Sequence, residues 1–107
     1  MTSSKVLIII PTYNEIENIE KIIRDIRNID NDLHILVVDD NSPDKTGAKV
    51  KGMRSEFPNL YLVEREGKLG LGTAYVAGFR FALKNGYDFI FEMDADFSHD
   101  PREIPNF

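Results

Sequence analysis

Val6-Leu7-Ile8-Ile9-Ile10 is an unbroken run of β-branched and leucine side chains, followed at once by Pro11-Thr12-Tyr13-Asn14-Glu15. No polar residue alternates within the run, so it reads as a strand buried on both faces, the kind found inside parallel sheets. Pro11 is expected to end it. Asn14 then sits three residues before Glu17, a capping pair for a helix. Ile16, Ile19, Ile22, Ile23, Ile26 and Ile29 follow at helical spacing, with charged residues between them. Isoleucine is a middling helix former, so the period decides and not the propensity.

The same unit repeats along the chain. Asn28 to Asp32 is a polar loop, and His34-Ile35-Leu36-Val37-Val38 is a second apolar run that meets Asp39-Asp40-Asn41-Ser42-Pro43. Ser42 with Pro43 at the first helical position is a helix-start pattern. Ala48, Val50, Met53 and Phe57 trace the face of the expected helix, which Gly47 and Gly52 weaken. After Pro58-Asn59 come a strand, Leu60 to Val63, and a charged, glycine-bearing loop, Glu64 to Gly72. A third helix is expected over Thr73 to Asn85, stopped by Gly86. Phe89-Ile90-Phe91-Glu92-Met93 is the fourth strand. The order β-α-β-α-β-α-β, with right-handed crossovers, predicts an α/β fold: a Rossmann-like parallel sheet with helices on both faces.

Ligands of such sheets bind beyond the carboxyl ends of the strands, where strand order reverses. Tyr13-Asn14-Glu15 follows the first strand, Asp39-Asp40 the second, Arg65 to Gly72 the third and Asp94-Ala95-Asp96 the fourth. Four loops from distant parts of the chain are thus expected on one edge. A strand places residues i and i+2 on one side, so Asp94 and Asp96 can face one point. Oxygens that close repel unless a cation such as Mg²⁺ or Mn²⁺, itself holding a diphosphate, sits between them. The plainer reading, a solvated strand end, loses to the convergence of the other loops. Ser98 adds a further oxygen as a metal candidate, and small Ala95 would let a ribose or sugar approach.

The other clusters divide in the same way. Asp39 and Asp40 can accept hydrogen bonds from ribose hydroxyls or base N–H groups. Helix-dipole compensation is an equal reading for Asp39, and ligand contact is favoured for Asp40. Tyr13 offers a ring to stack on a base and Glu15 a carboxylate, while Asn14 reads as a cap. Lys68-Leu69-Gly70-Leu71-Gly72 has neither Walker nor dinucleotide spacing; Lys68 and Arg65 supply positive charge for a phosphate, and a mobile surface loop is the nearly equal reading of each residue taken singly. His34 and His99 take structural roles, and the isoleucine stripe is core.

Composition sets the outer bounds. The chain has 107 residues, of which 42% are hydrophobic and 29% charged, enough for one soluble globular unit. A formal net charge of -5 argues against a nucleic-acid partner. The absence of cysteine excludes disulfides, thiolate zinc sites and cysteine nucleophiles, and is compatible with a reducing cytoplasm. The longest apolar run falls far short of the roughly 20 residues that span a bilayer.

These segments together resemble family 2 inverting glycosyltransferases of the GT-A fold, in particular the dolichol-phosphate (polyprenol-phosphate) mannosyltransferase branch. The resemblance is carried by Pro11-Thr12-Tyr13-Asn14-Glu15, by Val38-Asp39-Asp40-Asn41-Ser42-Pro43-Asp44, by Lys68 to Tyr75 with Gly78, and by Met93 to His99. It implies a GDP-mannose or similar nucleotide-sugar donor, with Pro11, Tyr13, Glu15, Val38 and Asp40 lining the nucleoside pocket. Asp94 and Asp96 would be the catalytic carboxylates, holding Mg²⁺ or Mn²⁺ on the diphosphate with Ala95 against the donor. Ser98 falls where some relatives carry a metal-reaching Gln. The acceptor would be a polyprenyl phosphate, already ionised, so the main chemical task is stabilising the leaving GDP. A UDP-sugar donor is the alternative within the family, and a non-catalytic nucleotide- or phosphate-binding α/β module the alternative outside it.

A nucleotidyltransferase would want a glycine-rich basic first loop, and a glycoside hydrolase would want carboxylates on opposite sides of its bond; neither pattern is present. The family's members run longer than residues 1–107, so the resemblance implies the nucleotide-sugar-binding portion of such an enzyme, with little or no transfer activity of its own. Basic phosphate-gripping residues, acceptor site and any membrane anchor would lie in the remainder, at the cytoplasmic face of a membrane. The fourth strand is then expected to present an exposed edge with a tendency to self-associate.

Overall fold

The computed structural model describes residues 5–30, 32–66 and 71–95. Its elements follow the expected order: β1 (Val6–Thr12), α1 (Ile19–Ile29), β2 (His34–Asp39), α2 (Thr46–Met53), β3 (Leu60–Glu64), α3 (Leu71–Lys84) and β4 (Phe89–Glu92). The strands form one parallel sheet in the order β3-β2-β1-β4. The chain therefore moves outward from β1 through β2 to β3, then returns to the other side of β1 for β4. α1 and α2 cover one face, where Ile8, Ile10, Ile35 and Val37 meet Ile19, Ile22, Ile23, Ile26, Val50 and Met53. α3 covers the other, where Leu7, Ile9, Leu36 and Val38 meet Ala74 and Ala82. The alternation along β1 and β2 is hydrophobic on both sides, which is why those runs contain no polar break.

Pro11 does not end β1: it pairs in register with Val38, and Thr12 with Asp39. A proline is tolerated in a strand where its missing N–H has no acceptor to meet. Ile9 directs its carbonyl toward β4, accepting the Met93 amide at 3.0 Å. Pro11, two residues on, faces the same side, and β1–β4 pairing ends at Ile9 opposite Glu92. The proline thus removes no ladder bond and marks where β1 and β4 part.

The helix starts also differ from expectation. Asn14 is not the cap of α1. It adopts a left-handed φ of 57°, and α1 begins only at Ile19 after Asn18, which makes no side-chain cap bond. Ile16 is consequently exposed, and the buried stripe is Ile19, Ile22, Ile23 and Ile26. Ser42 and Pro43 do not open α2. Lys45 takes a left-handed φ of 70°, and the helix starts at Thr46, whose amide donates to Asp44 Oδ1 at 3.0 Å. Ala48 lies exposed, off the buried face formed by Thr46, Gly47, Val50 and Met53. α3 begins at Leu71, two residues earlier than expected, and ends as predicted. Gly86 has φ 72° and the Tyr87 amide reaches back to the Ala82 carbonyl at 3.2 Å, a Schellman closure. In the middle of α3, a Cβ on Gly78 would stand 2.7 Å from two atoms of fully buried Ile9, so the helix lies on β1 at a distance only glycine allows.

Asp44 ties the two helix entrances together. Its Oδ2 accepts the Ile16 amide at 3.0 Å while its Oδ1 accepts the Thr46 amide and hydroxyl. Burial pushes its carboxyl up, but these hydrogen bonds outweigh burial and hold it below the ordinary carboxylate value. A depressed folded pKa gives stability that is present above the unfolded pKa and lost as the pH falls through the folded one. Asp44→Ala is therefore expected to lose about 1 kcal/mol at neutral pH. Urea titrations of mutant and wild type should converge in acid, below the carboxylate range; an equal deficit at both pH values would refute the role.

Candidate functional site

The carboxyl ends of β1, β2 and β3 finish almost level, while β4 stops earlier, with Glu92 opposite Ile9. The Asp40 amide donates to the Thr12 carbonyl at 3.1 Å, and the Arg65 amide to the Asp39 carbonyl at 2.8 Å. Strand order reverses at β1, so the crevice that opens between the ends of β1 and β4 is the switch point at which such sheets bind ligands. Thr12, Tyr13 and Glu15 stand on one side of it and Met93, Asp94 and Ala95 on the other. Asp39, Asp40 and Arg65 flank it from β2 and β3.

Asp39 is 1% exposed and anchors the loops around it. Its Oδ1 accepts the hydroxyls of Thr12 and Ser42, both at 2.6 Å, and its Oδ2 accepts the Ser42 amide at 3.0 Å. A Cβ on Gly47 would come within 3.1 Å of that Oδ2, so glycine in α2 makes room for the carboxylate. Ser42 then passes the order on, because its Oγ accepts the Asn14 amide at 2.9 Å. The Glu15 amide donates to Thr46 Oγ1 at 3.0 Å, and the Asp44 amide to Asn14 Oδ1 at 3.2 Å. The half-buried Tyr13 and Glu15 are thus held by bonds between the loops after β1 and β2. Glu15 also accepts the Asn18 side-chain amide at 3.3 Å.

Asp40 is received by a forked guanidinium: Arg65 Nε donates to Oδ1 at 2.6 Å and Nη2 to Oδ2 at 2.9 Å. Arg65 Nη1 donates to Thr73 Oγ1 at 3.0 Å. Arg65 was expected to bring positive charge to a phosphate; instead its charge is matched by a carboxylate in a setting where both side chains are nearly buried. On the far side of the crevice, Tyr75 donates its hydroxyl to Asp94 Oδ1 at 3.0 Å. Tyr75 thus meets the carboxylate on one flank directly, and Thr73, two residues earlier at the start of α3, meets the guanidinium that holds the carboxylate on the other. Neither stood out in the sequence, although both lie in the Lys68–Tyr75 stretch that carries the resemblance.

Three expected contact residues have their side chains in the interior. Val38 is fully buried in the α3-side core, Ala95 is 3% exposed in the α1-side core, and Pro11 is buried. Any approach of a ligand to these three is to backbone. Lys68, Asp96, Ser98 and His99 lie outside the described residues. His34, expected to be structural, sits at the opposite edge of the sheet with its Nδ1 2.8 Å from the Tyr87 hydroxyl. Burial, with Lys5 and Arg27 nearby, holds its pKa below the ordinary histidine value.

The donor chemistry at the crevice fits a hard divalent cation. Asp94 presents carboxylate oxygen, the ligand Mg²⁺ and Mn²⁺ favour, and the chain holds no thiolate to draw a softer metal. Of the expected set Asp94 is the one member among the described residues, and among those residues no group of three or more His, Asp or Glu comes together.

The family named Glycosyl transferase family 2 matches residues 7–107. The chain belongs to this family. It is 48% identical over 101 residues to the undecaprenyl-phosphate mannosyltransferase of Micrococcus luteus, a match covering 94% of this chain and 42% of the relative. It is 46% identical over 103 residues to the polyprenol monophosphomannose synthase of Mycolicibacterium smegmatis, covering 95% and 39%. Among solved structures, the mannosyltransferase PcManGT of Pyrobaculum calidifontis, in complex with GDP-Man and Mn²⁺, superposes with a TM-score of 0.81 at 30% identity, over 96% of this chain and 30% of that one. The family 2 glycosyltransferase chain described here thus spans less than half the length of the relatives it matches. No helix among its described residues is long and apolar enough to cross a membrane.

Proposed function

We propose that this chain is the nucleotide-sugar-binding portion of a glycosyltransferase that moves a mannosyl or similar group from a GDP-sugar to a polyprenyl phosphate, with inversion. The observation that carries the reading is that the described residues following each of the four strands lie on one sheet edge, with Asp94 and Asp40 on its two flanks. The relatives' names, which pair mannose with polyprenyl phosphates, and the neighbour's GDP-Man complex support the choice of donor and acceptor. Tyr13 and Glu15 would meet the nucleoside, with Asp40 held by Arg65 beside them, and Lys68 would approach the phosphates. Asp39 contributes by fixing the loops that carry them. Asp94, with Asp96 and Ser98, would hold Mg²⁺ or Mn²⁺, which when bound neutralises charge building on the diphosphate.

The chemistry needs little else. An acceptor phosphate oxygen, ionised at neutral pH, attacks the anomeric carbon from the face opposite the diphosphate. The new C–O bond forms as the bond to the GDP oxygen breaks, and the electron pair leaves on GDP. No proton has to be removed from the attacking oxygen, so the task of this edge is to hold the donor and stabilise its leaving group. The acceptor is a lipid, which sets the reaction at a membrane surface, at its cytoplasmic face in this reading. Association of copies through the outer edge of β4, where Phe89 is 53% exposed, belongs to the same proposal.

Calorimetric titration of the protein with GDP, UDP and GDP-mannose, with and without Mn²⁺, tests it. Metal-strengthened binding of GDP and GDP-mannose, with UDP weaker by about tenfold or 1.4 kcal/mol, is the expected result. Equal or tighter binding of UDP would overturn the donor assignment. Binding that ignores the metal and survives Asp94→Asn would overturn the carboxylate's role and return the chain to the non-catalytic module.

A further inference from the structure

We propose that Tyr75 is a positioning residue for Asp94, and that the first turns of α3 set the carboxylate of the metal subsite. The proposal rests on the reading of Asp94 as a metal ligand and adds a residue to it. The torsion that turns a carboxylate about its own axis is broad and two-fold, so an aspartate at a strand end does not choose its plane alone. A phenol O–H at 3.0 Å from Oδ1 chooses it, because the bond is made only when that oxygen points toward α3. Tyr75 is itself held. Its ring packs against the α3-side core, and its neighbour Ala74 is 1% exposed within that core. Gly78, one turn further, seats the helix against Ile9 with no room for a methyl group.

The same turn reaches the other flank. Thr73 accepts Arg65, and Arg65 forks onto Asp40. α3 therefore couples the orientation of the carboxylates on the two sides of the crevice. Ligand carboxylates and imidazoles are commonly oriented by such outer hydrogen bonds, whose loss typically weakens metal binding about 10–100-fold.

Tyr75→Phe keeps the ring and removes only the donor. Mn²⁺ affinity, read from the electron paramagnetic resonance of free Mn²⁺ in the presence of GDP, is expected to fall about tenfold. The urea midpoint of the metal-free protein and its metal-free GDP affinity are expected to stay close to wild type. Unchanged Mn²⁺ affinity in Tyr75→Phe, alongside lost affinity in Asp94→Asn, would overturn the positioning role and leave the metal assignment standing. Unchanged affinity in Asp94→Asn would instead overturn the metal assignment on which it rests. A parallel fall of metal-free GDP binding and of stability in Tyr75→Phe would make Tyr75 a packing residue and also overturn the proposal.

Discussion

Arg65→Met should lower the stability of the fold by about 3 kcal/mol or more, the range seen when one partner of a buried ion pair is removed. The side chains of Arg65 and Asp40 are 11% and 8% exposed, and two of the guanidinium nitrogens meet both carboxylate oxygens. Methionine keeps much of the arginine stem and removes the fork. It leaves Asp40 close to the interior without its forked partner, and Thr73 without the Nη1 donor. Arg65→Lys should fall between wild type and Arg65→Met, because an ammonium cannot address two oxygens as a planar fork does. Asp40→Leu/Arg65→Met should recover most of the loss, since a well-packed apolar pair can replace a buried ion pair at little net effect. That recovery would appear in a double-mutant cycle as strong coupling between the two positions. Urea unfolding of wild type, Arg65→Met, Asp40→Leu and the double mutant closes the cycle; a loss below about 1 kcal/mol in Arg65→Met would place the pair among weak surface bridges.

The contrast between Arg65 and Asp94 shows what could be read in the sequence. The place of Asp94 was legible because it depends only on where a strand ends, and an apolar run reports that directly. Arg65 was legible as a positive charge after β3, but its partner was not. Asp40 belongs to a loop 25 residues earlier, and only the neighbouring positions of β2 and β3 bring the two together. Tyr75 is the same case: its meeting with Asp94 follows from how closely α3 lies on the sheet, and the small residues Ala74, Gly78 and Ala82 are the trace of that closeness in the sequence.

The strands and their alternation with helices were readable for a different reason. Runs such as Ile35 to Val38 have no alternation, and only a sheet covered on both faces buries every residue of them. Helix starts were read poorly because asparagine, serine and aspartate satisfy loop amides as readily as helix amides. Asn14 and Ser42 looked like caps and instead bond each other across two loops. Pro11 looked like a stop because a proline ends a strand only if its N–H was needed, and the direction of that N–H is set by the register of β1 against β4.

Asp39→Ala is the other large effect to expect, and it separates scaffolding from ligand contact. Three donors, the hydroxyls of Thr12 and Ser42 and the amide of Ser42, end on this one buried carboxylate. Hydrogen bonds to a charged group contribute about 1.5–3 kcal/mol each. Their sum is an upper bound, because the two hydroxyls can turn to other acceptors once the carboxylate is gone. The Ser42 amide cannot turn, and leaving a buried donor unmet costs about 1–3 kcal/mol alone. A total loss near 3 kcal/mol is expected, within the range for breaking a buried polar network. The urea m-value should be unchanged, so that the shift in midpoint reports stability and not a change in the unfolded chain. Asp39→Asn keeps the volume, but whichever way its amide is turned it offers one acceptor fewer to the same donors, and it should fall between wild type and Asp39→Ala. If Asp39 serves the site by fixing the loops after β1 and β2, Ser42→Ala should weaken GDP binding in the same direction, since Ser42 carries the connection on to Asn14. Lost GDP binding in Asp39→Asn with full binding in Ser42→Ala would instead mean that the carboxylate itself touches the nucleotide.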